Sequence, residues 1–233
     1  DLQSLKQTVR GRMDKVRQRL EAHREAEEER DRELEAEVAA LRTRLTEMEK
    51  ESEELRARLH QEWLQAHTDA LTALPNRLGY EEKARTLLSR HRQEGGRLSV
   101  AVMDIDLFKD LNDNFGHQAG DKALKIIAGI LQDHLPADGA FLARYGGEEF
   151  VCLFPGRNRE GAVQAVEQMR RKVGEAAFTF QQQRLRITLS AGVDELRGGE
   201  SIKAAFGRAD RALLQAKEAG RDTVVAADAE GAE

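Results

Sequence analysis

Four carboxylates and two glycines hold the chemistry most open to argument. Asp104 and Asp106 fall at the end of the apolar run RLSVAVMDI, Arg97 to Ile105, while Glu148 and Glu149 directly follow Gly146 and Gly147. Carboxylates that converge on one edge repel each other unless cations hold them, and hard oxygen donors of this kind suit Mg²⁺ with a bound nucleotide. Two such ions about 4 Å apart activate an attacking hydroxyl and stabilise a leaving group. Each acidic pair also reads, alone, as strand-end or turn acids at the surface. The glycines add weight, because Gly146 and Gly147 permit positive φ and leave the backbone uncovered for a phosphate or base.

Between the two acidic pairs runs LFKDLNDNFGHQAGDKAL, in which Phe108 and Leu111 can pack inward while Lys109, Asn112, His117 and Asp121 stay polar. Asn112 and Asp121 suit a guanine edge, since a carboxylate accepts from a ring N–H and an exocyclic amine that adenine does not present together. Lys109 suits phosphate charge growing in a transition state. The same Asn and Asp also suit turn and cap chemistry around Gly116 and Gly120, and His117 alone reads equally as a packed or solvated histidine. Near the end, ADRALLQAKEAGRDTV places Lys217 and Arg221 about Gly220. Cations there favour a helix C-terminus whether or not a triphosphate is present.

These residues need elements to hold them. Arg97 to Ile105 reads as a buried strand, Asp121 to His134 as a helix, and Ala140 to Tyr145 with Glu149 to Phe154 as a hairpin across Gly146 and Gly147. A helix from Glu160 to Val173, a strand from Leu185 to Val193, a helix from Ser201 to Ala219 and a short strand at Thr223 to Ala226 complete the order. That is an α+β, ferredoxin-like antiparallel sheet flanked by helices. Asn76 follows Pro75 and can cap another helix.

The first third is different. From Leu34 the apolar residues step by four and three through Val38, Leu41, Leu45, Met48, Leu55 and Leu59, a coiled-coil seam with Ser52 as its polar exception. An earlier run, Val9, Met13, Val16 and Leu20, is out of phase, and the charged stretch Glu21 to Glu33 lies between them. The seam stutters or breaks there. A parallel dimer is the expected assembly, and a helical hairpin turning in the charged stretch is the alternative. The domain boundary is expected at the DALTALPNR segment, giving a helical stalk over 1–67 and a globular domain over 68–233.

Charged residues make up 34% of the 233 and the net charge is −5, which speaks against broad, sequence-independent nucleic-acid binding. The single cysteine, Cys152, suits a reducing compartment, and a cytoplasmic location is expected. No run approaches the roughly 20 apolar residues of a membrane helix. The chain opens on Asp1 rather than Met, so a sensory or membrane segment upstream is an open expectation.

Taken together, the segments DALTALPNR (Asp69 to Arg77), MDIDLFKDLNDNFGHQAGD (Met103 to Asp121), RYGGEEF (Arg144 to Phe150), TLSAGV (Thr188 to Val193) and ADRALLQAKEAGRD (Ala209 to Asp222) resemble the GGDEF family of diguanylate cyclases, in family order from about Thr68 to Val225. The resemblance implies a nucleotide-cyclase-type fold and the condensation of two GTP into cyclic di-GMP by a homodimer with facing half-sites. It implies Mg²⁺, with Mn²⁺ as a substitute, held by Asp104, the Ile105 carbonyl and Glu148. Glu148 would also be the base for the ribose 3′-hydroxyl and Glu149 a supporting acid. Asn112 and Asp121 would recognise guanine, His117 would help seat the nucleotide, and Lys109, Lys217 and Arg221 would hold phosphates. Phe108, Gly146 and Gly147 are counted with the substrate-binding set. The signature reads GGEEF, an active variant that keeps the carboxylate. The RxxD product-inhibition motif is missing, with Ala137 and Ala140 at its positions.

Dimerisation would thus be part of catalysis, and the stalk a route by which an upstream sensory domain or regulatory protein acts. Three other readings compete: a sensor binding GTP or cyclic di-GMP without turnover, a coiled-coil adaptor, and a cyclase using ATP. Intact Asp104, Glu148 and Lys109 oppose the first, and Asn112 and Asp121 oppose the last.

Overall fold

Alternation along one strand sets the architecture. The computed structural model describes residues 2–228, with side chains from residue 9 onward. In it, β1 (Leu98–Ile105) is buried at every position. Ala101, Met103 and Ile105 enter an apolar cluster on one face of the sheet, while Leu98, Val100 and Val102 enter a second cluster on the other. A strand covered on both faces reads as a continuous apolar run, as RLSVAVMDI does.

Ahead of β1 come α1 (Leu2–His67) and α2 (Arg77–Glu94); after it come α3 (Phe108–Phe115), α4 (His117–Asp133), β2 (Phe141–Gly146), β3 (Glu149–Pro155), α5 (Arg159–Glu175), β4 (Phe178–Phe180), β5 (Gln183–Leu185), β6 (Leu189–Glu195), α6 (Ile202–Glu218) and β7 (Val224–Ala226). The main sheet has the order β2-β3-β1-β6-β7. Helices α4 and α5 fill the first cluster, and α2 and α6 the second. Strands β2, β3, β1 and β6 keep the antiparallel order of the split ferredoxin-like arrangement.

Two features depart from the sequence expectation. The sheet is mixed rather than antiparallel, because β7 runs parallel to β6 after the α6 crossover. The expected strand Leu185 to Val193 divides into β5 and β6, with β5 paired to β4 in a separate hairpin. Gln181 and Gln182 close that hairpin at φ 47° and 64°, a left-handed turn made without the usual glycine or asparagine.

Helix α1 continues through Glu21 to Glu33, so the helical-hairpin alternative is excluded. Its apolar stripe stays in solvent: Met13, Leu34, Leu41, Leu45, Met48, Leu55 and Leu59 are each more than half exposed. The chain divides into two compact units at Gln61 and Glu62. The second unit takes in the last turns of α1, where the His67 carbonyl accepts from Asn76 N at 2.8 Å and the Ala66 carbonyl from Asn76 Nδ2 at 2.8 Å. Asn76 is also the N-cap of α2, its side chain accepting from Leu78 N and Gly79 N. The single cysteine, Cys152, is fully buried in β3, and burial alone pushes its thiol pKa far up.

Candidate active site

Strand register brings the acids together. Asp104 is the direct cross-strand partner of Glu149, and the alternation that sends Val100 and Val102 toward α6 sends Asp104 the same way. Like charges directly opposite each other are destabilising. Lys217, near the end of α6, answers with its Nζ 2.8 Å from Asp104 Oδ1. Burial, opposed by that lysine and aided by Asp106, still holds the Asp104 carboxyl above its ordinary range. Burial, then the nearby charges of Asp104 and Asp210, does the same for Glu149. Carboxylates raised together by burial and by neighbouring negative charge mark a candidate functional site.

Glu148 sits on the turn before β3, and its carbonyl accepts weakly from Ile105 N at 3.4 Å, which puts it beside the strand end whose carbonyl the sequence reading singled out. Among the described residues, no three His, Cys, Asp or Glu side chains gather to cage an ion alone. Two carboxylates and a carbonyl fit Mg²⁺ that keeps water and substrate phosphates for its remaining positions. The donors present therefore fit the ion the sequence implied.

Asp106 does not join them. Its Oδ1 accepts from Ser190 Oγ at 2.6 Å, and its Oδ2 from Thr188 Oγ1 at 2.7 Å and from Asp222 N at 3.0 Å. The expectation of four converging carboxylates is thereby reduced to three, since Asp106 is spent on β6 and on the turn after α6. Of the two glycines, only Gly147 has positive φ, at 48°. A Cβ at either would meet nothing within 4 Å, so the turn is open to a ligand.

Directly after Asp106, Leu107 takes φ 56° and starts α3 with no side-chain cap, leaving first-turn N–H groups available to an anion. Lys109 is exposed on α3, and His117 and Asp121 are exposed on the first turns of α4. Asn112 is half-buried, and its Oδ1 has no hydrogen-bond partner. It lies over Gly120, where a Cβ would come within 2.1 Å of that oxygen and 3.0 Å of the Phe108 ring. A buried acceptor left unpaired costs stability, which suits a group reserved for a donor-bearing base. Phe108 itself is in the core; it packs under α3 rather than lining an open surface.

Arg144 is the residue that sequence reasoning quoted without assigning. Its Nε and Nη2 donate to the Gly147 carbonyl at 3.0 and 2.7 Å, and its Nη1 to both oxygens of Asp69 at 2.9 and 3.1 Å. Asp69 also accepts from Thr72 N and Oγ1. Burial raises the Asp69 pKa, but the bonds from Thr72 and Arg144 outweigh it and leave the carboxyl below its ordinary range. The DALT turn and the GG turn are therefore tied by one guanidinium. The signal was an arginine two residues before a glycine pair whose carbonyls need donors.

Against families of known proteins, residues 66–223 match the family described as diguanylate cyclase, GGDEF domain. The chain belongs to the GGDEF family. Over 222 residues it is 41% identical to diguanylate cyclase DgcP of Pseudomonas aeruginosa, covering 95% of this chain and 33% of DgcP; it spans about a third of that relative's length. The crystal structure of the coiled coil and GGDEF domain of DgcB from Caulobacter crescentus, in complex with c-di-GMP, superposes with a TM-score of 0.74 at 34% identity, covering 80% of this chain and 99% of that one. Diguanylate cyclase SiaD of P. aeruginosa, solved in complex with its activator SiaC, gives a TM-score of 0.71 at 32% identity over 97% of this chain and 87% of its own. Within this GGDEF chain, Asp104 and Glu149 are the register-paired acids, and Asn112 is the unpaired acceptor above Gly120.

Proposed function

We propose that the chain condenses two GTP into cyclic di-GMP with release of two pyrophosphates. The observation that carries this reading is the register pairing of Asp104 with Glu149 beside Glu148, together with the unpaired Asn112 oxygen. Asn112 and Asp121 receive the guanine edge, and His117 seats the nucleotide. The uncapped start of α3, Lys109 and Arg221 receive phosphates. Lys217, paired with Asp104 at 2.8 Å, would hold phosphate.

Asp104, the Ile105 carbonyl and Glu148 would hold Mg²⁺, or Mn²⁺ in its stead. When bound, the ion supplies charge neutralisation at the α-phosphate and lowers the pKa of the hydroxyl. Glu148 accepts the proton of the ribose 3′-OH, and Glu149 keeps negative charge beside it. The 3′ oxygen forms a bond to the α-phosphorus of the second GTP as that phosphorus loses pyrophosphate, and the reciprocal attack closes the ring.

Because each domain holds one GTP, the second nucleotide comes from a second copy of the chain. The exposed apolar stripe of α1 supports a parallel coiled-coil homodimer over 1–67 with the cyclase domain over 68–233. The relative SiaD was solved in complex with its activator SiaC; a partner acting on the stalk of this chain would change how two half-sites meet. The GTP requirement and Cys152 favour a cytoplasmic setting; among the described residues no helix is long and apolar enough to cross a membrane.

The test is incubation with GTP and Mg²⁺ beside a Glu148→Ala control, with products separated by chromatography and identified by mass. Cyclic di-GMP from the native chain alone is expected; GTP binding without product at high protein concentration would favour the sensor reading. Removing residues before Glu62 should lower specific activity at low protein concentration, and unchanged activity would refute the role of the stalk.

A further inference from the structure

The turn after α6 is held more firmly than a helix end requires. Gly220, Arg221 and Asp222 take φ values of 112°, 65° and 48° in succession. Two of them are not glycine, and left-handed backbone at such residues persists only where surrounding contacts over-determine it. The contacts are specific. Arg221 N donates to the Ala216 carbonyl at 3.0 Å, and Asp222 N donates to Asp106 Oδ2 at 3.0 Å. The Asp222 carboxylate takes Arg170 on one oxygen and Arg186 at 3.0 Å on the other, and Arg170 is itself fixed by Glu167 at 2.7 and 2.8 Å.

The residue this arrangement leaves pointing outward is Arg221, which is exposed and has no hydrogen bond from its guanidinium among those described. Asp106 anchors the turn while it also binds Thr188 and Ser190 of the β6 end. With three donors already on its two oxygens, little lone-pair capacity is left for an ion. It sits two residues from Asp104, so it can tie the phosphate side of the site to the strand end that carries the acid pair.

We propose that Asp106 is a positioning residue for the substrate's phosphates: through the backbone of Asp222 it fixes the Gly220–Asp222 turn and so the place of Arg221, and it is not a metal ligand. The inference rests on the reading that Arg221 contacts phosphate. Asp222 is its auxiliary, holding the same turn through Arg170 and Arg186.

The experiment is a double-mutant cycle on the full chain: native protein, Asp106→Asn, Arg221→Ala and the double variant, each assayed for the KM of GTP, kcat, the Mg²⁺ concentration giving half the maximal rate, and melting temperature. Losing one well-placed cation at phosphate should raise KM about tenfold. Asp106→Asn is expected to reproduce most of that rise with kcat within about twofold, and to add less than about twofold once Arg221 is already alanine, because residues acting through one another are non-additive. Multiplicative effects on KM would overturn the proposal. So would an unchanged GTP KM with a raised Mg²⁺ requirement, the signature of a ligand.

If Arg221→Ala leaves KM unchanged, the phosphate role of Arg221 fails and this inference with it. The cyclase reading then still stands or falls on product formation and its loss in Glu148→Ala. Should Asp106→Asn melt before assay, Asp222→Ala repeats the cycle without touching the sheet. The same collapse of its KM effect in the Arg221→Ala background supports the proposal, and additivity sinks it.

Discussion

Replacing Gly120 with alanine should damage nucleotide binding more than it damages the fold. A Cβ at this position would stand 2.1 Å from Asn112 Oδ1, 3.0 Å from Asn112 Cγ and 3.0 Å from Phe108 Cζ. Because Cγ is crowded as well as the oxygen, rotating the amide is insufficient; the whole Asn112 side chain must swing away. That movement breaks no protein hydrogen bond at Oδ1, which has none. On stability, Ala in place of Gly within a helix gains about 0.5–1 kcal/mol, while pressure on the buried Phe108 ring costs about 1–3 kcal/mol. The net is a loss between nothing and about 2.5 kcal/mol, a fall in melting temperature of no more than about 10 °C for a domain of this size. On binding, a guanine donor deprived of its acceptor in a desolvated site costs about 1–3 kcal/mol, or roughly 5- to 150-fold in affinity. Titration of a non-hydrolysable GTP analogue by calorimetry, with the melting curve in parallel, separates the two. Asn112→Ala should show a similar binding loss, and Gly120→Ala should add nothing to it. Native affinity in Gly120→Ala would refute the placement of Asn112 against the base.

The remaining predictions concern charge. Asp104→Asn should abolish the rise in melting temperature that Mg²⁺ with a GTP analogue gives the native chain, about 5–10 °C at a hundredfold excess over the dissociation constant; an equal rise in both would remove Asp104 from the metal site. Burial holds Asp104 above its ordinary range, so the metal-free native protein should lose stability as pH climbs from that ordinary range through the raised value, and the Asn variant, in which burial still raises Glu149, should lose less. Glu167 runs the other way: Arg170's hydrogen bond, against burial, draws it from 4.5 down to about 2. Its contribution is present above 4.5 and lost as pH falls toward about 2, so Glu167→Gln should flatten acid unfolding in that window. Arg144→Lys keeps a charge but not the fork that spans Asp69 and Gly147, and should lower activity about tenfold or more; full activity would mean that the turn needs no tether. With Ala137 and Ala140 at the RxxD positions, cyclic di-GMP titrated into a steady-state assay should inhibit weakly, and strong noncompetitive inhibition would contradict that.

How much of this was legible depends on whether the signal was local. The β1 strand announced itself because both faces are covered, so every residue from Leu98 to Ile105 is apolar or packed. The helix after Asn76 was legible from one capping side chain. The β4–β5 hairpin was not, since two glutamines took left-handed backbone that the sequence reserves for glycine or asparagine. Nor was the fate of Asp106: spacing alone makes it the twin of Asp104, and only the distant Thr188, Ser190 and Asp222 distinguish them. The reduced role of Phe108 came from the same source, because depth in a core is a tertiary fact.

Arg144 shows what the motif reading lacked and why it matters for control. The sequence places DALTALPNR and RYGGEEF far apart, and each reads as a turn in its own right. In the fold, the Pro75 carbonyl accepts from Arg144 N at 2.9 Å, Asp69 holds the Arg144 guanidinium, and the guanidinium holds the Gly147 carbonyl. Asn76 then binds the Ala66 and His67 carbonyls at the end of α1. If the stalk controls activity, a rotation at that helix end would act through these bonds, the last of them charge-assisted at Arg144, on the turn that carries Glu148. Under the stalk-control reading, Arg144→Lys should uncouple activity from the state of the coiled coil before it unfolds the domain. A variant that keeps its response to the stalk would place the coupling elsewhere.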